Sequence, residues 1–314
     1  MNALVLGGAG FIGSNLCERL LANGNNVICA DNFSLGSPQN VSFLEKETAF
    51  QLIECDATNE YELDRVFNNA RPDYVFHLAA NSDIQASAKN PEVEYKNTYS
   101  TTFTILSVMR KYNTKRLFFA STSAVYGDKR DVVLDENTPN LSPISYYGAA
   151  KLGSEALISA FSYMNDMKSL VFRFPNVIGP RLTHGVIFDF IKRLKEDPCR
   201  LRILGDGKQT KPYIYVSDLV EAIIRLMNVD TGVTLYNIGV EGATSVTKIA
   251  DIICEEMNLV NVKYEYTGGE SGWKGDVPRF KYSMDKVHTA GWKASYTSDE
   301  AVRRTVRDTL KNSR

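Results

Sequence analysis

Two hydrophobic rhythms alternate along the chain. Short apolar runs occur at Ala3-Leu4-Val5-Leu6, Asn26-Val27-Ile28-Cys29-Ala30, Phe50-Gln51-Leu52-Ile53-Glu54, Tyr74-Val75-Phe76-His77-Leu78, Arg116-Leu117-Phe118-Phe119-Ala120 and Ser169-Leu170-Val171-Phe172-Arg173-Phe174. Their length and continuity predict strands buried on both faces. Between them, apolar residues recur at helical spacing over 11–21, 59–69, 91–112 and 145–158. Strands alternating with helices, without internal repeats, predict an α/β fold with a doubly wound parallel sheet. Beyond residue 175 the alternation loosens into helices over 184–196, 217–228 and 246–257, short strands over 200–204 and 213–216, and a closing amphipathic segment over 299–310. The expected organisation is a first domain over 1–175 and a smaller mixed lobe over 176–212 and 239–314. A strand-helix unit near 213–238 is expected to rejoin the main sheet.

Composition changes this picture little. The 314 residues are 44% hydrophobic with a formal net charge of -1, so neither a nucleic-acid surface nor an acidic tail is expected. The first strand begins almost at once, so no signal peptide is expected, and no apolar run reaches membrane-spanning length. Five scattered cysteines without a C-x-x-C pair predict reduced, buried thiols and a cytoplasmic setting. His77, His184 and His288 do not cluster, so no metal site is expected.

The first candidate chemistry lies between the first strand and the first helix. Gly7, Gly10 and Gly13 are spaced G-x-x-G-x-x-G, and the second strand ends on Asp31. Such glycines permit a tight turn, backbone approach to a pyrophosphate and close helix–strand packing. The helix N-terminus, with Phe11, Ile12 and Gly13 in its first turn, offers N–H donors and a positive dipole end to phosphates. An acidic residue at the end of the second strand hydrogen-bonds the adenosine ribose and repels a 2′-phosphate. This is the Rossmann pattern, and it favours NAD over NADP. The loop over 32–38, containing Asn32, Ser34 and Gly36, is placed to wrap the adenosine. Asp56, just past the third strand, suits the adenine edge or the cap of the following helix.

Other candidates fall at the carboxyl ends of later strands, where open α/β sheets bind ligands. One strand delivers Leu78-Ala79-Ala80-Asn81-Ser82, and another delivers Ser121-Thr122-Ser123-Ala124-Val125-Tyr126-Gly127. On the next helix Tyr147 and Lys151 share one face. With these residues in view, the chain resembles the extended short-chain dehydrogenase/reductases, specifically the nucleotide-sugar epimerase/dehydratase family. The resemblance covers nearly the whole length. It rests on the glycines, Asp31, Asp56, His77-Leu78-Ala79-Ala80, Ser121-Thr122-Ser123 and Tyr147-x-x-x-Lys151. Further marks are Phe172-Arg173-Phe174-x-Asn176-x-x-Gly179-Pro180-Arg181, Gly205-Asp206-Gly207-x-Gln209-Thr210, Arg279 after Gly275-Asp276-Val277-Pro278, and Ala290-Gly291-Trp292.

The resemblance implies a catalytic set of Tyr147, Lys151, Thr122 and Ser123, with Tyr147 as the base that takes a sugar hydroxyl proton. Lys151 and a bound nicotinamide would favour its phenolate and bring its pKa toward operating pH. NAD would be held by Gly7, Gly10, Phe11, Ile12, Gly13, Asp31, Asn32, Ser34, Gly36, Asp56, Ala57, Leu78, Ala79, Ala80, Ser121, Tyr147 and Lys151. A nucleoside-diphosphate sugar would meet Ser82, Thr122, Asn176, Arg181, Lys211 and Arg279. The resemblance also implies a homodimer through the helices over 91–112 and 145–164, with Phe103, Leu106, Ala156 and Phe161 as interface or core.

Two departures bear on the reaction. Ser123-Ala124 stand where dehydratases and decarboxylases of the family carry acidic residues before the tyrosine of the V-Y-G run. In addition, Gln209-Thr210-Lys211-Pro212 replaces the usual Gln-Thr-Arg-Asp, so a point charge stands in for a bidentate fork. The leading expectation is therefore a nucleotide-sugar 4-epimerase working through a transient 4-keto sugar. The alternatives are a 4-dehydrogenase or 4-ketoreductase, then a 4,6-dehydratase, and last a non-catalytic NAD-sensing protein.

Overall fold

The computed structural model describes residues 1–130, 132–269, 275, 277 and 279–311, with residues 85 and 86 described by backbone alone. A first unit comprises Met1–Gly127, Pro139–Phe174 and Val220–Tyr236. Its apolar runs form β1 (Asn2–Leu6), β2 (Asn26–Asp31), β3 (Phe50–Glu54), β4 (Tyr74–His77), β5 (Arg116–Thr122) and β6 (Lys168–Phe174), with β7 (Val233–Asn237) at one edge. The spatial order is β7-β6-β5-β4-β1-β2-β3. From β3 to β6 every pairing is parallel, with Ala3 opposite Val27 and Tyr74, and Arg116 opposite Lys168. The order turns back beside β1, and at such a switch point the carboxyl strand ends open a crevice for ligands.

Four helices pack on this sheet and frame the crevice: α1 (Phe11–Ala22), α2 (Glu60–Ala70), α3 (Thr101–Lys111) and α4 (Tyr146–Met164). Leu4, Leu6, Val75, Leu117 and Phe119 of the sheet join Leu63, Phe67, Ile105, Leu106 and Ile158 of α2, α3 and α4 in one buried core. Leu106 thus belongs to the core, whereas Phe103 and Ala156 are exposed.

Several elements differ from the sequence expectation. The helix expected over 91–112 is three pieces: a turn at Glu92–Glu94, a π-helical turn at Tyr95–Ser100, and α3. Hydroxyl side chains take backbone carbonyls there, with Thr101 Oγ1 donating to Lys96 O at 2.9 Å, five residues back, and Thr104 Oγ1 to Ser100 O at 3.1 Å. Such side-chain bonds compete with the regular ladder, and π turns insert one extra residue per turn. Asp56 does not cap α2; Asn59 does, its side-chain oxygen accepting from Tyr61 N at 3.1 Å and Glu62 N at 3.4 Å.

The second unit comprises Asp128–Thr138, Pro175–Leu219 and Asn237–Arg314. Tyr213–Tyr215 does not rejoin the main sheet but pairs in parallel with Asn176–Ile178; β7 is the strand that returns. The excursion after Gly127 belongs to this unit as well, Val133–Leu134 pairing with Lys281–Tyr282. Its core gathers Ile187, Phe190, Ile191, Leu194, Leu201, Ile203, Ile249, Ile253, Val302 and Val306. Of the glycine-rich loop over 268–276, residues 270–274 and 276 lie outside the described residues, as does Pro278. Among the described residues no helix is long and apolar enough to cross a membrane.

Candidate functional site

The glycine turn forms as its spacing predicts. Gly7 adopts φ 77°, and a Cβ there would lie 2.7 Å from Ala79 N, so the chain beyond β4 packs directly on the turn. A Cβ on Gly13 would run into the Gly7 carbonyl, so only glycine lets α1 start this close to β1. Gly10, in extended conformation, precedes α1, and no side chain caps the helix. The first-turn N–H groups of Phe11, Ile12 and Gly13 therefore remain available to an anion.

Asp31, 7% exposed, closes β2 beside this turn. Its carboxylate accepts from Ala9 N at 3.0 Å and Phe33 N at 2.8 Å. Burial pushes its pKa up while the backbone N–H donors hold it down. Gly36 packs so closely that a Cβ would sit 2.8 Å from one carboxylate oxygen. Asn40 Nδ2 and Ser37 N both donate to Ala9 O, at 2.9 and 3.0 Å, which ties the loop after β2 to the glycine turn. Asn32 and Ser34 are exposed on that loop, and the half-buried Asp56 accepts from Thr58 N at 2.9 Å. Leu78, Ala79 and Ala80 are half-buried past β4, and Ala57 is buried past β3. The uncapped helix start, the carboxylate and the Cβ-free cradle converge on one strand-end crevice and fit a dinucleotide.

The second cluster lies at the ends of β5 and α4. β5 runs two residues further than its apolar pattern predicts, so Ser121 and Thr122 are part of the sheet. Ser121 gives its hydroxyl to Glu155. Thr122 Oγ1 accepts from Ala124 N at 3.2 Å and hydrogen-bonds Tyr147. Ser145 starts α4, its side chain accepting from Gly148 N at 3.1 Å. A Cβ on Gly148 would lie 2.6 Å from Ala124 O, so the first turn of α4 rests on the segment after β5. That contact brings Tyr147 to Thr122. Ser123 and Ala124 lie half-buried in the intervening 3-10 turn, and Ser82 is exposed beyond β4.

One turn along α4, Lys151 is 2% exposed and donates to Ala120 O at 2.7 Å. Its Nζ lies 4.6 Å from the Phe119 ring centroid and 5.9 Å from that of Tyr147. Burial lowers its pKa to about 8, opposed by the charges of Glu94 and Glu155. Burial first, then the Glu94 charge, drives the Tyr147 pKa above the ordinary tyrosine value, and the Thr122 hydrogen bond only partly opposes them. In the protein alone the Tyr147 hydroxyl is a phenol.

In the second unit, strand pairing places Asn176 opposite Tyr213, two residues beyond Lys211, and a parallel bridge joins Thr210 to Arg279. Asn176, Lys211 and Arg279 thus meet on adjacent backbone. Arg181 lies on the loop after Asn176–Ile178 with φ 73°.

Sequence reading missed the charged groups packed around α4. Arg173 binds Glu155 through two hydrogen bonds, of 3.0 and 2.6 Å, and its guanidinium lies 4.8 Å from the Tyr126 ring centroid. Glu94, 1% exposed, accepts from Asn81 Nδ2 and Thr98 Oγ1, each at 2.7 Å. The signal available in sequence for the first pair was a charged residue inside the apolar run of β6. For Glu94 there was none, because Glu92 and Glu94 in a helical segment read as a solvated face.

Comparison with known proteins gives the family. The model of the NAD dependent epimerase/dehydratase family matches residues 3–239. A putative UDP-glucose 4-epimerase of Methanocaldococcus jannaschii is 31% identical over 320 residues, covering 99% of each chain. The crystal structure of a Thermotoga maritima UDP-glucose 4-epimerase with UDP-glucose is 31% identical and superposes with TM-score 0.90 over 100% of both chains. That of a Thermus thermophilus UDP-glucose 4-epimerase complexed with NAD is 28% identical, with TM-score 0.88 over 99% of both. The chain belongs to the NAD dependent epimerase/dehydratase family.

Proposed function

We propose that the protein is a UDP-sugar 4-epimerase that inverts the C4 carbon through a transient 4-keto sugar. The observation that carries this reading is the Thr122–Tyr147–Lys151 cluster with Ala124 beside it. NAD, when bound, takes up the C4 hydride and returns it, and its positive ring adds charge beside the phenol. The glycine turn would hold the pyrophosphate and Asp31 the adenosine ribose; with Asp31 ionised, a 2′-phosphate is repelled.

Thr122 hydrogen-bonds the Tyr147 hydroxyl and would orient the sugar 4-hydroxyl against it. Tyr147 takes the proton from that hydroxyl and later gives it back to the inverted oxygen. Because burial and Glu94 disfavour the phenolate, Tyr147 depends on nearby positive charge to act as a base. Lys151, held through Ala120 O, supplies part of it. Ser123 would share the oxygen contact. In the second unit Asn176, Arg181, Lys211 and Arg279 would contact the diphosphate, arginine being suited to bidentate phosphate bonding. Relatives named for UDP-sugars support uridine as the base.

Ala124 separates this reading from a dehydratase. Eliminating water across C5 and C6 needs one group to remove the C5 proton and another to protonate the departing hydroxyl. A methyl supplies neither, and Ser123 is a poor acid and base near neutral pH.

We also propose a homodimer through α3 and α4, on which Phe103, Tyr163 and Met164 are exposed and Phe161 packs edge-on to Phe103 at 5.9 Å. A monomeric mass by light scattering at micromolar concentration would refute it. The functional test is NMR of the products from UDP-glucose, UDP-glucuronate and UDP-arabinose in deuterated water. The expected product is a C4 epimer that keeps its other substituents. A 6-deoxy-4-keto sugar carrying deuterium at C6 would refute the proposal.

A further inference from the structure

Arg173 interrupts the apolar run of β6 and is 4% exposed. It stands opposite Ser121 of β5 in the parallel register, so both side chains leave the sheet on the same face. Val171 and Ser169 share that face, with Phe119 opposite Val171. Across from them Tyr147, Lys151, Glu155 and Ser162 form one stripe along α4. Each has a partner on the sheet. Tyr147 hydrogen-bonds Thr122, and Lys151 Nζ donates to Ala120 O at 2.7 Å. Glu155 accepts from Ser121 and Arg173, and Ser162 Oγ lies 2.8 Å from Ser169 Oγ.

The Glu155 contact differs from the others in its geometry. Arg173 Nε donates to Oε1 at 3.0 Å and Nη2 to Oε2 at 2.6 Å, so a planar fork meets a planar carboxylate in one registration. Oε1 also accepts the Ser121 hydroxyl, so one oxygen joins β5, β6 and α4. The Tyr126 ring centroid lies 4.8 Å from the guanidinium and packs against it. Two apolar side chains could fill this space with no loss of stability, because the desolvation of a buried ion pair offsets most of its attraction. What the pair adds is direction. Apolar contact is non-directional and lets a helix settle along a strand, whereas the fork does not. Ala120, Ser121 and Thr122 are consecutive. Fixing Ser121 against Glu155 therefore fixes the carbonyl that receives Lys151 and the hydroxyl that meets Tyr147, one and two turns away on α4.

We propose that Arg173 and Glu155 are positioning residues that lock α4 onto the carboxyl end of β5 and so hold Tyr147 and Lys151 in register with Thr122 and Ala120. They act on the reaction only through those groups. A misplacement of about 1 Å in a reacting constellation costs on the order of a hundredfold in rate, so a small slide of α4 matters to turnover while leaving the core packed. Stability and turnover should therefore come apart when both charges are removed together. The inference deepens the proposed epimerase reading and rests on it for its functional meaning.

The test is the double variant Arg173→Met/Glu155→Met, read in two ways. In steady-state epimerisation of UDP-glucose, kcat should fall at least about tenfold while KM stays within about threefold, a split that marks a fault in the reacting geometry rather than in binding. In cofactor-free protein, NMR of lysines carbon-13 labelled at Cε, with Lys151 assigned by the signal lost in Lys151→Met, reports where the ammonium sits. Its Nζ lies 4.6 Å from the Phe119 ring centroid, so the ring current displaces this signal, and in the double variant the signal should move toward the ordinary lysine position. A folded double variant with wild-type kcat, or with the Lys151 signal unmoved, overturns the proposal. If the double variant does not fold, Arg173→Lys decides, since it keeps the charge and loses the fork. A lowered kcat with a displaced Lys151 signal then supports the lock, and wild-type values of both overturn it. If the Lys151 signal moves but the wild type epimerises no nucleotide sugar, the functional reading fails while the lock on α4 stands.

Discussion

Replacing Lys151 by methionine should abolish turnover and at the same time make the protein more stable. Lys151 is 2% exposed and its folded pKa is about 8, against 10.5 for a free lysine. Burial is the leading cause. At pH 7 the side chain is protonated both folded and unfolded, so the fold carries the full cost of an unfavourably placed cation. A shift of about 2.5 units corresponds to roughly 3 kcal/mol. Methionine fills a similar volume without the charge but leaves Ala120 O without its donor, which costs about 1 kcal/mol. The net gain is about 2 kcal/mol, the burial penalty left after the lost hydrogen bond. Proton counting gives the sign with pH. Between pH 8 and 10.5 the unfolded chain binds the proton more tightly than the folded one, so wild-type stability rises relative to the variant across that window. Paired denaturant titrations of both proteins from pH 7 to pH 10 measure the difference. The variant should lead at pH 7 and lose its lead toward pH 10. A variant no more stable at pH 7, or a gap that does not change with pH, would refute the reasoning.

Tyr147→Phe keeps the ring and removes only the hydroxyl; it should fold as the wild type and lose at least about a hundredfold in turnover. Retention of more than about a tenth of wild-type turnover, a loss below about 1.4 kcal/mol, would remove Tyr147 from the chemistry. For Asp31→Ala, NAD affinity should fall and the preference over NADP should shrink, as read by calorimetry. A wild type that binds NADP as tightly as NAD would contradict the assigned role. Arg173→Met leaves the Glu155 carboxylate without its cation in a mostly buried place and should cost about 3 kcal/mol, measured by urea unfolding. The double change Arg173→Met with Glu155→Met should recover much of that loss.

What the sequence disclosed depends on which interactions are local. The apolar runs of β1, β2, β4, β5 and β6 are buried along nearly their whole length, so their pattern is continuous and their positions are legible directly, while β3, at the sheet edge, is only partly buried. The glycine turn is legible because the exclusion at Gly13 comes from Gly7 and Gly8 close by in sequence, although that at Gly7 comes from Leu78 and Ala79 beyond β4. The π turn at Tyr95–Ser100 is not, since hydroxyl-to-carbonyl bonds from Thr101 and Thr104 decide it while the apolar period runs through undisturbed. Which short strand returns to the main sheet is also hidden. Tyr213–Tyr215 is the more apolar segment, yet tertiary pairing sends it to Asn176–Ile178 and brings Val233–Asn237, which contains Thr234 and Asn237, back to the main sheet. In the sequence, Lys151 alone points to the protonation of Tyr147. Burial of the hydroxyl, and after it the charge of Glu94, distant in sequence, push the other way.

The central claim is that hydride leaves C4 and returns to the opposite face of the same sugar. UDP-glucose carrying deuterium at C4 tests it most directly, with a known amount of enzyme and an excess of unlabelled NAD in solution. The account predicts a UDP-galactose product that retains the C4 deuterium over many turnovers, with no net change in absorbance at 340 nm. Loss of the label to the solution cofactor, or release of a 4-keto sugar in step with NAD reduction, would contradict it and make the protein a net oxidoreductase.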